Sequence, residues 1–208
     1  MIKQLTDILR NQDEYKIQRR SMGLRLSGLL PVMTLKVNAR PTRRIKAKVA
    51  EKYPPGRSRL YNEAGYVSEY ALHRYLLAMN IKHKRWKLGS EVAPDFTITR
   101  EGKLYKIGVR SRRHRDLMKF ENEPTVDYPV RRLRNAKEIG DYVIAASNFT
   151  VSDGSSLVAL WGAIEQDRLV KVMNQLWHDK PIPTGNTSMS IPLEEFKPEP
   201  LKWLLKLP

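Results

Sequence analysis

Between Ala93 and Arg110 the chain carries two β-rich runs separated by a two-residue glycine turn, and this pair constrains the fold more than any other stretch. Ala93 to Thr99 is the first run, Lys103 to Arg110 the second, and Glu101-Gly102 lies between them. Such a dipeptide closes a tight β-hairpin, because glycine takes positive φ at no steric cost. If Arg100 and Lys103 flank the turn, antiparallel partners have numbers that sum to 203. Phe96 then faces Ile107 and Ile98 faces Tyr105, and with Val109 they form one apolar face. The other face carries Asp95, Thr97, Lys106, Gly108 and Arg110. Asp95 falls directly across from Gly108. Opposed residues have Cβ atoms about 5 Å apart, so an acid at 108 would be placed to share a divalent cation with Asp95.

The elements around the hairpin follow from periodicity and breakers. Ile2 to Arg20 has a helical apolar spacing in Leu5, Ile8 and Leu9. Met33 to Val37 reads as a short strand. Pro41 opens a basic helix, Arg43 to Tyr53, which Pro54-Pro55-Gly56 ends. Asn62 is placed as the N-cap of a helix running to about Asn80, with Ala71, Leu72, Tyr75, Leu76 and Met79 on its apolar face. After the hairpin come a short basic helix, Val130 to Glu138, strands at Asp141 to Ser147 and Leu157 to Ile164, and a helix at Gln166 to His178. Pro181 to Asn186 reads as a loop. A last helical stretch lies within Pro192 to Leu207. The pattern predicts an α/β domain over residues 61–208, a small mixed sheet flanked by helices, behind a basic helical extension over residues 1–60.

Charge narrows the partners. The chain of 208 residues holds 38 Lys+Arg against 22 Asp+Glu, a formal net charge of +16. Residues 1–60 carry 15 basic and 4 acidic side chains, whereas residues 148–208 carry 6 and 7. A field concentrated in this way is the footprint of a polyanion partner. No apolar run reaches the roughly 20 residues of a membrane-spanning helix, and no segment pairs a clean apolar face with a basic one. With no cysteine in the sequence, disulfides and thiolate metal sites are excluded. The N-terminal residues lack the apolar stretch of a secretory signal. The expectation is a cytoplasmic protein.

Three stretches carry a family resemblance: Tyr66-Val67-Ser68-Glu69-Tyr70-Ala71-Leu72 on a helix, Val92-Ala93-Pro94-Asp95-Phe96-Thr97-Ile98 on one strand, and Tyr105-Lys106-Ile107-Gly108-Val109-Arg110-Ser111 on its partner. Together they resemble the PD-(D/E)XK nuclease superfamily, particularly small archaeal Holliday-junction resolvases and related viral nucleases. The resemblance covers about Asn62 to Ser147. It implies a restriction-endonuclease-like core and a deoxyribonuclease dependent on Mg²⁺ or Mn²⁺. By the same resemblance Asp95 is the main metal ligand, Glu69 an accessory one and the Val109 carbonyl a third, while Arg110 contacts the scissile phosphate. It further implies DNA, duplex or branched, as substrate, and a homodimer that pairs two sites.

The sequence departs from that pattern at two positions. The family has an acid at the position of Gly108 and usually a lysine at that of Arg110. Glycine offers no side-chain ligand, and arginine stays protonated, so it cannot pass a proton as lysine can. No nearby acid is an evident replacement: Glu101 lies roughly 20 Å from Asp95 along the strand and Glu91 roughly 13 Å, while Glu138 would depend on how its helix crosses the sheet. The alternative is therefore a nuclease scaffold that binds DNA without cutting it, and a third reading is an RNA-binding protein.

Arg112, Arg113 and Arg115 directly follow the candidate strand, Arg131, Arg132 and Arg134 lie on the next helix, and Arg43 and Arg44 belong to the first basic cluster. All eight are candidate phosphate contacts, which give affinity but no sequence information. His73, His83, His114 and His178 show no zinc-ligand spacing. The four tryptophans read as core or interface anchors, with Trp161 and Trp203 the interface candidates.

Overall fold

A computed structural model describes residues 31–85, 94–118, 124–130, 139–178 and 187–207. The elements in chain order are β1 (Met33–Val37), α1 (Ala39–Lys52), α2 (Arg57–Ala78), β2 (His83–Arg85), β3 (Phe96–Arg100) and β4 (Lys103–Arg113). Then follow α3 (His114–Met118), β5 (Thr125–Pro129), β6 (Tyr142–Thr150), β7 (Ser156–Glu165), α4 (Gln166–Trp177), β8 (Ser188–Pro192), a 3₁₀ turn (Leu193–Glu195) and α5 (Pro198–Leu205). The expected Ile2–Arg20 helix, the helix over 131–138 and the loop over 181–186 lie outside the described residues.

Six strands form one mixed sheet in the order β1-β7-β6-β4-β3-β2. Every neighbouring pair is antiparallel except β4 and β6, which run parallel. Parallel neighbours need a crossover, and the chain supplies it between Arg113 and Tyr142. β5 and β8 make a separate two-stranded ribbon. The coarse expectation of an α/β chain with a mixed sheet flanked by helices is met.

The β3–β4 hairpin has the expected register, with Phe96 opposite Ile107 and Ile98 opposite Tyr105. Glu101 and Gly102 both have positive φ, 49° and 76°, the backbone of a type I′ turn. Side chains alternate between two cores. Phe96, Ile98, Ile107 and Val109 join Leu72, Leu76, Ile144, Leu160 and Leu204 on one face of the sheet, under α2 and α5. Val143, Ala145, Ala159 and Trp161 lie on the other, against Leu169 and Met173 of α4 and Tyr128 and Ile191 of the ribbon. Between β6 and β7 the pairing steps from Ala145↔Gly162 to Ala146↔Leu160, skipping Trp161. This β-bulge turns the indole into the second core.

Several boundaries differ from the sequence reading. The helix expected from Asn62 starts at Arg57, directly after Gly56 (φ 145°). Asn62 sits inside it and donates through Nδ2 to the Ser58 carbonyl at 2.9 Å, so its side chain serves the helix interior and not an N-terminus. The helix ends at Met79. Asn80 takes positive φ, and its N–H and that of Ile81 bond back to the Leu77 and Leu76 carbonyls, a Schellman closure. The described part of residues 1–60 is not a separate extension. β1 pairs along β7 from Met33↔Leu160 to Val37↔Ser156, and Met33, Leu35 and Val37 lie in the first core.

Candidate functional site

Asp95 precedes β3 and extends its ladder. Its N–H bonds the Ile107 carbonyl at 3.0 Å, and its Oδ2 accepts the Val109 N–H at 2.6 Å. The carboxylate thus takes the place of a backbone carbonyl beside β4. A Cβ at position 108 would lie 3.9 Å from Asp95 Oδ2, 3.5 Å from the Ile139 carbonyl and 3.6 Å from Val143 Cγ2. All three are ordinary contacts, so the backbone at Gly108 accepts a Cβ.

Glu69 reaches the same place from α2. The hydroxyls of Ser68 and Ser111 meet at 2.8 Å and fix this turn of the helix against β4. Burial and the neighbouring Asp95 charge push the Glu69 carboxyl up to about 7, against a weaker opposing pull from Arg85 and Arg110. Arg85 Nη2 donates to Glu69 Oε2 at 3.3 Å, and both side chains are largely buried. Arg85 pairs with Phe96 across β2 and β3. Arg110 donates through Nη1 to the Val109 carbonyl at 3.2 Å, and its guanidinium lies 5.2 Å over the Tyr128 ring. Asp95, Arg85 and Arg110 thus all act on the Glu69 carboxyl, and burial with the Asp95 charge outweighs the two arginines.

Two tyrosines edge the centre. The Tyr53 and Tyr66 hydroxyls lie 3.4 Å apart. The Tyr66 phenol is pushed above its ordinary range by burial first, then by Tyr53, Glu69 and Asp95. Neither tyrosine nor Arg85 was singled out from the sequence. Tyr66 was legible in principle, since it stands three residues before Glu69 and shares its helical face. Arg85 was not, because a three-residue strand of charged residues carries no alternation.

Part of the donor set is already engaged within the chain. Mg²⁺ wants near-octahedral oxygen ligands, commonly one or two carboxylates with water and phosphate oxygens. Asp95 and Glu69 supply two carboxylates, yet one oxygen of Glu69 is held by Arg85, one oxygen of Asp95 by the Val109 N–H, and the Val109 carbonyl by Arg110. Position 108 supplies none. Among the described residues no group of three or more His, Cys, Asp or Glu is gathered as for a metal. Glu91 and Glu138 lie outside them.

The cationic candidates separate by environment. Arg43 and Arg44 stand exposed on α1. Arg112 is buried (7 % exposed). Its guanidinium forks onto both oxygens of Asp127 and donates to Thr125 Oγ1 at 3.2 Å, locking β4 to the ribbon. Arg113 is clamped by Asp116 through bonds of 2.6 and 3.0 Å. Arg131, Arg132 and Arg134, and the side chain of Arg115, lie outside the described residues. His73 Nδ1 and His83 Nε2 are 2.9 Å apart, a pair that the zinc-spacing argument did not anticipate. Trp161 is not an interface residue: it is 4 % exposed and donates to Ser147 Oγ. Trp203 is half-buried, edge-on to Tyr105, and bonds Glu101.

No protein-family model matches this sequence, and no curated protein is significantly similar to it. No helix among the described residues is long and apolar enough to cross a membrane.

Proposed function

We propose that this protein binds DNA on a nuclease-like scaffold whose acid centre is engaged by its own arginines. One observation carries the reading: Arg85 and Arg110 occupy oxygens of Glu69 and Val109, two of the three groups that the resemblance assigns to a cation. The segment bearing the resemblance folds as one continuous unit of helix α2, three antiparallel strands, a crossover and the parallel strand β6, which supports the restriction-endonuclease-like core. The charge of +16 and the exposed Arg43 and Arg44 supply the attraction to phosphate. A homodimer and a cytoplasmic setting belong to the same reading.

Binding is measured by fluorescence anisotropy on duplex, four-way-junction and structured RNA probes across a salt series. The expected result is DNA affinity that falls steeply with salt and exceeds that for RNA. Equal or tighter binding to RNA would move the protein to the RNA-binding reading.

A second reading, hydrolysis of phosphodiester bonds with Mg²⁺ or Mn²⁺, is favoured by the proximity of the two carboxylates. Glu69 is raised by burial first and by the Asp95 charge second, and a divalent cation relieves both. In that reading Asp95 and Glu69 would hold the ion, which would supply an activated water, and Arg110 would contact the phosphate.

A further inference from the structure

A cavity of about 380 Å³ opens beside, but apart from, the Glu69–Asp95 centre. It lies at the carboxyl ends of the parallel strands β4 and β6, where Arg113, His114, Asn148 and Phe149 meet, and α1 and α2 cover it with Lys46, Leu60 and Val67. In sheets with parallel strands this end is the habitual ligand crevice. The volume falls within the range of small-molecule sites, roughly 300–1,000 Å³.

His114 gives the cavity wall its unusual feature. The ring is 4 % exposed and stacks on Trp161 at 6.2 Å with 9° between planes. Its Nδ1 lies 3.1 Å from Ser147 Oγ, and the same oxygen accepts the Trp161 indole N–H at 3.0 Å. The Ser147 hydroxyl, with one donor and two acceptor positions, thus joins both rings. Burial keeps the ring neutral, pushing its pKa down to about 4. Nε2 is buried and has no hydrogen-bond partner among the described residues. It is closed off from solvent within the wall and offers no group to the cavity.

The rest of the lining defines what the cavity can hold. Lys46 reaches in and bonds the Thr150 hydroxyl at 2.9 Å, and Arg113 stands at the strand end, held by Asp116. Leu60, Val67 and Phe149 give an apolar and aromatic wall. Glu63, also in the lining, is paired with Arg59, and cations beside an aromatic wall suit an anionic group joined to a flat heterocycle. We propose that this cavity binds a nucleoside monophosphate, its base on the Leu60–Phe149 wall and its phosphate toward Lys46 and Arg113. A 5′-phosphorylated strand end and a free mononucleotide present this same chemistry. The inference rests on the DNA-binding reading only where the nucleotide belongs to a strand.

Titration calorimetry with AMP, dAMP, adenosine and inorganic phosphate tests the proposal, beside anisotropy with 5′-phosphorylated and 5′-hydroxyl oligonucleotides. A monophosphate should bind at least tenfold more tightly than either adenosine or inorganic phosphate. Lys46→Gln, a half-exposed position that does not threaten the fold, should weaken it about tenfold, the loss expected for one charge-assisted contact. Leu60→Trp, at the mouth, should block it, and circular dichroism confirms that each variant is folded. No binding of any monophosphate or 5′-phosphorylated strand up to millimolar concentration overturns the proposal, even if duplex DNA binds. Binding that neither variant alters overturns it as well. Monophosphate binding without duplex binding leaves the cavity as a free-nucleotide site and removes the DNA-binding reading instead.

Discussion

Glu69 offers a quantitative test of the charge centre. Its carboxyl is pushed from 4.5 to about 7 by burial and by Asp95, and the side chain is only 14 % exposed, so solvent screening is slight. Between those two pH values the folded chain holds a proton that the unfolded chain has released. Stability is therefore fully present below about 4.5 and is lost as pH rises through about 7. At about 1.4 kcal/mol for each tenfold change in proton affinity, the ionised carboxylate costs up to roughly 3 kcal/mol. Glu69→Gln imitates the protonated acid and keeps an oxygen for the Arg85 guanidinium. Its stability should match the wild type near pH 4 and exceed it near pH 8 by up to roughly 3 kcal/mol. For a chain of this size that corresponds to about 6–12 °C in Tm. Denaturant melts of both proteins at the two pH values measure it. A variant less stable than wild type at pH 8, or shifted equally at both pH values, would refute the reasoning.

Other consequences are as direct. Arg43→Ala with Arg44→Ala should lower the slope of log affinity against log salt by about 2, at roughly 0.9 per phosphate contact, without preference among DNA sequences. Arg112→Ala should cost about 3 kcal/mol, because it strips a buried fork from Asp127; loss of DNA affinity with unchanged melting would return Arg112 to the nucleic-acid interface. At Gly162 a Cβ would collide with the Phe196 carbonyl and come within 2.8 Å of the Lys197 carbonyl, where β7 bridges to the segment before α5. Gly162→Ala should cost about 3 kcal/mol, the upper end for an overpacked site, read as a fall in melting temperature.

How much of this was legible in the sequence depends on how local the signal was. The hairpin register emerged from one turn and one alternation, and it located both Asp95 and Gly108. The parallel pairing of β4 with β6 was not legible, since nothing in either strand specifies a partner some 35 residues away. β5 and β8 were missed because each is five residues long and closes on a proline, Pro129 and Pro192, which reads as a break. The arginine run at the end of β4 shows the same limit within the site. Ser111 to Arg115 reads as a basic stretch, yet Arg112 and Arg113 find Asp127 and Asp116 only once the ribbon and α3 are folded against the sheet. Arg110 was expected to face a phosphate. Its neighbour's carbonyl is the partner it has, and that contact is invisible to any argument from spacing.

We propose a nuclease-like scaffold that binds DNA while Arg85 and Arg110 engage its acid centre. The most direct test is an end-labelled duplex and four-way junction, saturated with protein and incubated with Mn²⁺, then resolved in parallel on native and denaturing gels. The account predicts retarded complexes and intact strands for the wild type, and the same for Asp95→Ala. Strand cleavage by the wild type that Asp95→Ala abolishes would contradict it and establish Glu69 and Asp95 as a working cation site.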